Sequence, residues 1–293
     1  MVKLPFINRG TSMDKNKMGL VVKSNKLIEA SYRLDLIEQR IILAAIVEAR
    51  ESQKGLEDGF ITLEVTRFAK TFGMEESNTY GQLKTAMDTL FNRFIVVRDI
   101  HPESGYERVS KIRWISKASY IDGAGMVQLQ FGQDIVPYIS RLEKEFTPYR
   151  LEKIGAMSSA HAVRLYELLI QYLSLGQREI EIAWLRDILQ LEGQYTLLNN
   201  LKIRVIDVAV DQINEHSDIK VSYTQRRTGR NVTHLIFNIK AKPEPKKAAT
   251  PKPIKLPDSV TAPTTRTSSA TTKAARAEAL AAARTGKGRS AAN

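Results

Sequence analysis

The sequence predicts an α+β chain: two tandem winged-helix domains related by internal duplication, with a disordered basic C-terminal tail. Three observations carry this prediction. One order of apolar periodicities is written twice. The second copy closes on two alternating strands around a tight turn. Beyond residue 240 the composition changes to lysine, proline and alanine, with no aromatic residue.

The first copy is "ITLEVTRFAKTFGMEESNTYGQLKTAMDTLFNRFIVVRD" (61–99) and the second is "IEIAWLRDILQLEGQYTLLNNLKIRVIDVAVDQINEHSDIKVSY" (180–223). Each opens on a short alternating strand, Ile61-Leu63-Val65 and Ile180-Ile182. A short helix follows, with Phe68 and Phe72, or Leu185 and Leu189, at i,i+4 spacing. Gly73 and Gly193 lie near the next turn. A longer amphipathic helix then opens on Leu83-Lys84 or Leu201-Lys202, and an apolar-rich helix precedes each copy at 36–49 and 159–175. Helix, strand, helix, turn, helix and hairpin is a helix-turn-helix carrying a wing, present twice. The competing reading is one α+β domain whose helices resemble each other by chance; the shared terminal hairpin disfavours it.

The expected organisation is a flexible segment (1–19), a first winged helix (20–145), a second (146–240) and the tail (241–293). The first hairpin is read in "VVRDIHPESGYERVSKIRWIS", where Asp99, Glu103 and Glu107 lie between Arg98 and Arg108. The strand-like "MVQLQF" (126–131) is expected to offer a free edge for pairing with a partner. The connector "DIVPYISRLEKEFTPYRLEKIGAM" (134–157) is read as an amphipathic spacer that sets the distance between the domains.

Net charge is +12, which points to a polyanionic partner. The tail holds 11 Lys and Arg against three acids, leaving +4 for residues 1–240. It also holds six of the ten prolines, so it cannot bury enough apolar surface to offset its ordering entropy. Cysteine is absent, which excludes disulfides and thiolate metal sites and makes a reducing cytoplasm the natural compartment. No apolar run reaches the length of a membrane span, and the basic N-terminus lacks the apolar stretch of a secretory signal.

Nothing in the sequence marks an enzyme. His101, His161, His216 and His234 are scattered, so the metal of a nicking enzyme has no His-x-His. The run "RTGKGRS" lies in the tail with no preceding strand, so it is no phosphate-binding loop. No cofactor is expected.

The residues that point to DNA lie in the second copy. Leu198, Leu201, Val205 and Val208 form the expected buried stripe of the longer helix. Its first turns carry Asn199, Asn200, Lys202 and Arg204, and acids come only later, which suits a helix inserted N-terminus first. The hairpin "YTQRRTGRNVTHLIFNIK" (223–240) then places Arg226, Arg227 and Arg230 at its tip, with no acid from Thr224 to Val232. Three unpaired guanidiniums repel one another, but against phosphate they release counterions. In the first copy Tyr80, Gln82, Lys84 and Thr85 open the corresponding helix and could read bases. Its mixed-charge hairpin suits phosphate poorly, so the second unit is expected to be the main DNA-binding domain.

The runs "VVKSNKLIEASYRLDLIEQRIILAAI" (21–46), "VRLYELLIQY" (163–172) and "YTQRRTGRNVTHLIFNIK" resemble those of the iteron-binding plasmid replication initiators, the family of the F-plasmid initiator and the pi protein. The resemblance spans about residues 20–240. It implies two winged helices derived by duplication, with basic contact residues at Lys202 and Arg204 and arginines on the second wing. It implies monomers that bind direct repeats in the double-stranded DNA of an origin and promote its opening. Dimers formed through the first domain would bind an operator inverted repeat and repress their own gene. A host initiator, the replicative helicase and chaperones are the further implied partners. A plain winged-helix repressor is the alternative, since fold alone does not separate the two.

Overall fold

The computed structural model describes residues 19–52, 59–140 and 145–243. The expected flexible segment and nearly all of the basic tail therefore lie outside the described residues.

The chain begins with β1 (Leu20–Ser24), a single helical turn α1 (Asn25–Ile28) and the long α2 (Leu36–Glu51). Asp35 starts α2 with a capping box. Its carboxylate accepts from the Glu38 N–H at 2.8 Å, and the Glu38 carboxylate accepts from the Asp35 N–H at 2.7 Å. Next come β2 (Ile61–Glu64), α3 (Val65–Phe72) and α4 (Glu76–Leu90). The Phe68 and Phe72 rings pack 4.7 Å apart, and Gly73 ends α3 in the left-handed region at φ 62°. Then follow β3 (Phe94–Ile100), β4 (Glu107–Arg113), β5 (Ile115–Ile121), β6 (Met126–Phe131), α5 (Val136–Ser140) and β7 (Phe146–Arg150). The second unit runs α6 (Ala160–Ile170), β8 (Gln177–Glu181), α7 (Ile182–Ile188), α8 (Leu198–Leu201), a π-helical stretch (Lys202–Ile206), α9 (Asp207–His216), β9 (Ile219–Thr228) and β10 (Asn231–Ala241).

The duplication is visible in the sheets. One has the order β2-β6-β5 and the other β8-β10-β9, so in each unit the strand ahead of the helix-turn-helix pairs with the last strand of the hairpin. These are two winged-helix domains in tandem.

That topology corrects two expectations. The wing of the first unit is β5–β6, not the hairpin at 96–116. That hairpin, β3–β4, forms a separate two-stranded sheet inserted between α4 and the wing. The strand "MVQLQF" is the centre of its sheet, paired with β2 on one side and β5 on the other, and has no free edge.

The connector is a third correction. Among its described residues the helical parts are α5 and a 3-10 turn (Leu151–Lys153), and between them β7 pairs antiparallel with β1, from Leu20 opposite Arg150 to Ser24 opposite Phe146. It is built into the body of the molecule. Behind it a fully buried polar cluster joins the two units. The Lys23 Nζ meets Glu167 Oε1 at 2.6 Å, and Arg164 Nη1 meets Glu167 Oε2 at 3.2 Å. Tyr149 donates its hydroxyl hydrogen to Glu167. Arg164 also donates to the Tyr32 hydroxyl at 2.5 Å and to the carbonyls of Ile28 (2.9 Å) and Ala30 (3.1 Å). Residues 23–32 of the first unit are thus bonded to α6 of the second.

Candidate nucleic-acid interface

The longer helix of the second unit is not uniform. Between α8 and α9 the five residues Lys202–Ile206 wind as π-helix, which holds more residues per turn than an α-helix. The extra residue moves the buried stripe. Leu201, Val205, Ile206, Ala209, Val210 and Ile213 are buried, whereas Val208, expected inside, is 39% exposed. Asn199, Asn200 and Arg204 are exposed and Lys202 is half-buried. None of these four side chains has a hydrogen-bond or ion-pair partner among the described residues, so their donors are available to a ligand. Leu197 and Ile203 stand beside them, 67% and 56% exposed. Sequence periodicity passed over these two; aliphatic groups among polar base readers can meet a thymine methyl.

The wing differs from the expected arginine loop. Arg226 and Arg227 belong to β9, and only Gly229 and Arg230 form the turn. Gly229, at φ 63°, gives the left-handed first position that a two-residue hairpin turn requires. Strand alternation sends Arg226 and Arg227 to opposite faces. Arg226 is not unpaired: it reaches across β10 to Glu179 on β8, an exposed pair that contributes little to stability. Arg227 and Arg230 have no partner among the described residues. Arg227 shares its face with Tyr223, whose hydroxyl donates to Asp207 at 2.5 Å and ties the wing to the first turn of α9. Burial, followed by this bond to a carboxylate, pushes the Tyr223 phenol up and keeps it protonated.

In the first unit the same device recurs, since Tyr120 on β5 donates to Asp88 on α4. The expected DNA residues there divide. Tyr80 donates to Asp122 in the β5–β6 turn, and Lys84 lies 3.6 Å from the same carboxylate and over the Tyr120 ring. The Tyr80 hydrogen bond, with the Lys84 charge beside it, holds the Asp122 carboxyl below the ordinary range. Tyr80 and Lys84 thus serve the joint between helix and wing. Gln82 and Thr85 line an open groove with Asn78, Gly81 and Ile37. That groove carries no cationic side chain.

Among the described residues no group of His, Asp and Glu could hold a metal ion, and no helix is long and apolar enough to cross a membrane.

Comparison with known proteins agrees with this geometry. Residues 20–170 match the model described as "Initiator Replication protein, WH1", and residues 181–239 match "Initiator Rep protein, WH2". An uncharacterized 27.6 kDa protein of Escherichia coli is 27% identical over 236 residues, covering 76% of this chain and 98% of that one. Among solved structures, the Pi initiator protein in complex with iteron DNA aligns with a TM-score of 0.63 and 21% identity, over 78% of this chain and all of that chain. The WH1 domain of MSBI1.176, a replication protein isolated from a multiple sclerosis patient, is 37% identical over 40% of this chain and 88% of that one, with a TM-score of 0.35. The two matched models together cover both winged helices, and the chain belongs to the initiator replication protein family.

Proposed function

We propose that the chain is a plasmid replication initiator that binds directly repeated origin sequences as a monomer, promotes origin opening and recruits the host replisome. One observation carries the DNA reading: among the described residues, Asn199, Asn200, Lys202 and Arg204 at the start of the second helix and Arg227 and Arg230 on the following wing have no internal partner. The Pi initiator, of the same fold, was solved bound to iteron DNA, which supports direct repeats as the target. The second unit supplies most of the affinity. The first contributes Gln82 and Thr85 as auxiliary contacts, while Tyr80 and Lys84 reach DNA only by giving up Asp122. Host initiator, helicase and chaperone contacts, and a cytoplasmic place beside the plasmid, follow from that role.

Repression of its own gene by a dimer is part of the proposal. The inserted hairpin favours self-association through the first unit, because Phe94, Ile100 and Val109 lie on one of its faces, 43%, 63% and 51% exposed. Hydroxyl-radical footprinting on the DNA flanking its gene, with mass measurement of the complex, tests both halves. One monomer on one direct repeat supports initiation. Occupancy only of a palindrome, and only by a dimer, would make the chain a dedicated repressor.

A further inference from the structure

The helix-turn-helix of the second unit does not turn as the first does. The first passes from α3 to α4 through residues 73–75, whereas the second passes from α7 to α8 through 189–197. Both turns begin alike. The Met74 N–H donates to the Ala69 carbonyl at 2.8 Å, and the Leu191 N–H donates to the Arg186 carbonyl at 2.9 Å. Arg186 therefore stands where the first unit has Ala69.

The longer turn is held against its own tendencies. Gln190 (φ 52°), Gly193 (φ 72°) and Tyr195 (φ 47°) are left-handed, and only one of the three is glycine. Residues 192–197 are exposed or half-buried, so apolar packing fixes them weakly. The helix they lead into opens at Leu197 with no side-chain cap. One side chain supplies what is missing. Arg186 donates from Nη1 to the Gln194 carbonyl at 2.9 Å, and from Nη2 to the carbonyls of Tyr195 at 2.6 Å and Thr196 at 3.3 Å. A planar guanidinium presents its donors as a rigid fork and so can grip successive carbonyls at once, which a single ammonium cannot.

We propose that Arg186 is a positioning residue for base recognition. Its clamp on the carbonyls of 194–196 fixes where α8 begins, and so aims Asn199, Asn200, Lys202 and Arg204. The inference rests on the DNA reading and goes beyond it, because it places a determinant of specificity on α7, in a side chain that does not itself touch DNA. Attraction to phosphate is electrostatic and tolerates small displacements, whereas paired hydrogen bonds to a base edge do not. Loss of the clamp therefore reduces sequence preference more than it reduces affinity.

The test uses the full chain as wild type, Arg186→Gln and Arg186→Lys. Each selects binders from a random-sequence duplex library, and the wild-type site and a random duplex are then titrated at several salt concentrations. Circular dichroism gives the folded fraction. Unfolding lowers both affinities by one factor and leaves their ratio unchanged, so a merely structural role does not move the ratio. Arg186→Gln should reduce the preference for the selected site roughly tenfold or more, the worth of one well-made base contact, and weaken the selected sequence at several base pairs together. Its affinity for the random duplex and its salt slope should stay close to wild type. Arg186→Lys keeps the charge without the fork and should lose preference too. An unchanged preference in Arg186→Gln, or its restoration by Arg186→Lys, overturns the proposal. Equal losses on both duplexes with a slope lower by about 0.9 would make Arg186 a phosphate contact, and a loss confined to one base pair would make it a base reader; either result also overturns it. A wild type that selects no site would refute the DNA reading, and the proposal with it, whereas the other failures leave that reading standing.

Discussion

Replacing Glu167 by Gln should strongly destabilise the molecule. The change keeps the volume and removes the one negative charge from a buried cluster holding Lys23 and Arg164. Removing one partner of a buried ion pair leaves the other uncompensated, which typically costs about 3–5 kcal/mol. Here two cations lose their partner, and Arg164 already carries an unpaired Nε, so the upper half of that range applies. For a folded body of this size each kcal/mol lowers Tm by about 2–4 °C, so the midpoint should fall by roughly 8–20 °C. Lys23→Met completes a double-mutant cycle with Glu167→Gln, and the pair together should cost less than the sum of the two. The same cluster sets a pH dependence. Burial alone would raise the Glu167 carboxyl, but Lys23 and Arg164 hold it below its ordinary 4.5. Its contribution is therefore complete above that value and is lost as the pH falls through the depressed one. The acid limb of wild-type stability should flatten in Glu167→Gln. Thermal and acid unfolding followed by circular dichroism measure both effects. A midpoint within about 2 °C of wild type would show that the cluster is not holding the units together.

Further outcomes concern DNA and self-association. Arg227→Ala combined with Arg230→Ala should flatten the plot of log affinity against log salt by about 0.9 per lost phosphate contact, on cognate and random duplexes alike. Arg226→Ala, whose guanidinium is already paired with Glu179, should change that slope less; equal slopes in all variants would exclude the wing from the interface. Arg204→Ala should cost about 1–3 kcal/mol on a cognate repeat and relax the preference at one base pair, read by competition binding. Equal losses on random DNA would make Arg204 a phosphate contact. Phe94→Ser with Val109→Ser should weaken the dimer in sedimentation and leave monomer binding to a direct repeat intact. A dimer of unchanged strength would place self-association elsewhere.

The legible parts of the fold are those written in local spacing. Phe68 and Phe72, or Leu185 and Leu189, lie one helical turn apart, so the helix-turn-helix pairs could be read from periodicity. Which hairpin forms the first wing could not, because it depends on whether β2 pairs with β4 or with β6, strands far apart in sequence. The hairpin at 96–116 came first along the chain and alternated well enough to be taken for it. The π-helical stretch was invisible for another reason. It moves the buried stripe by one residue, from Val208 to Ala209, and both side chains are apolar. At the proposed DNA surface, the residue types of Asn199, Asn200, Lys202 and Arg204 were legible. Their freedom from internal partners, and the capture of Arg226 by Glu179, needed coordinates. The joint between units was least legible of all, since Lys23 and Glu167 are 144 positions apart.

The two winged helices share a frame and spend their polar groups differently, which gives a physical basis for unequal roles. Each ties its wing to its helix with a tyrosine–aspartate bond, Tyr120 to Asp88 and Tyr223 to Asp207. In the first unit the helix also commits Tyr80 and Lys84 to Asp122. A cation already facing a carboxylate must lose that attraction before it gains a phosphate, so its net contribution to DNA affinity is small. In the second unit Lys202, Arg204, Arg227 and Arg230 have no such commitment among the described residues, so on the proposed function their counterion release is available to binding. The weaker domain need not hold DNA by its own affinity. On the proposed function, the buried cluster of Lys23, Arg164 and Glu167 joins the first unit to the second, so a contact of the first unit with the next groove would be intramolecular and lose little further entropy. A rigid joint, with one strong and one weak reader, is suited to a monomer that must recognise a direct repeat without a symmetric partner.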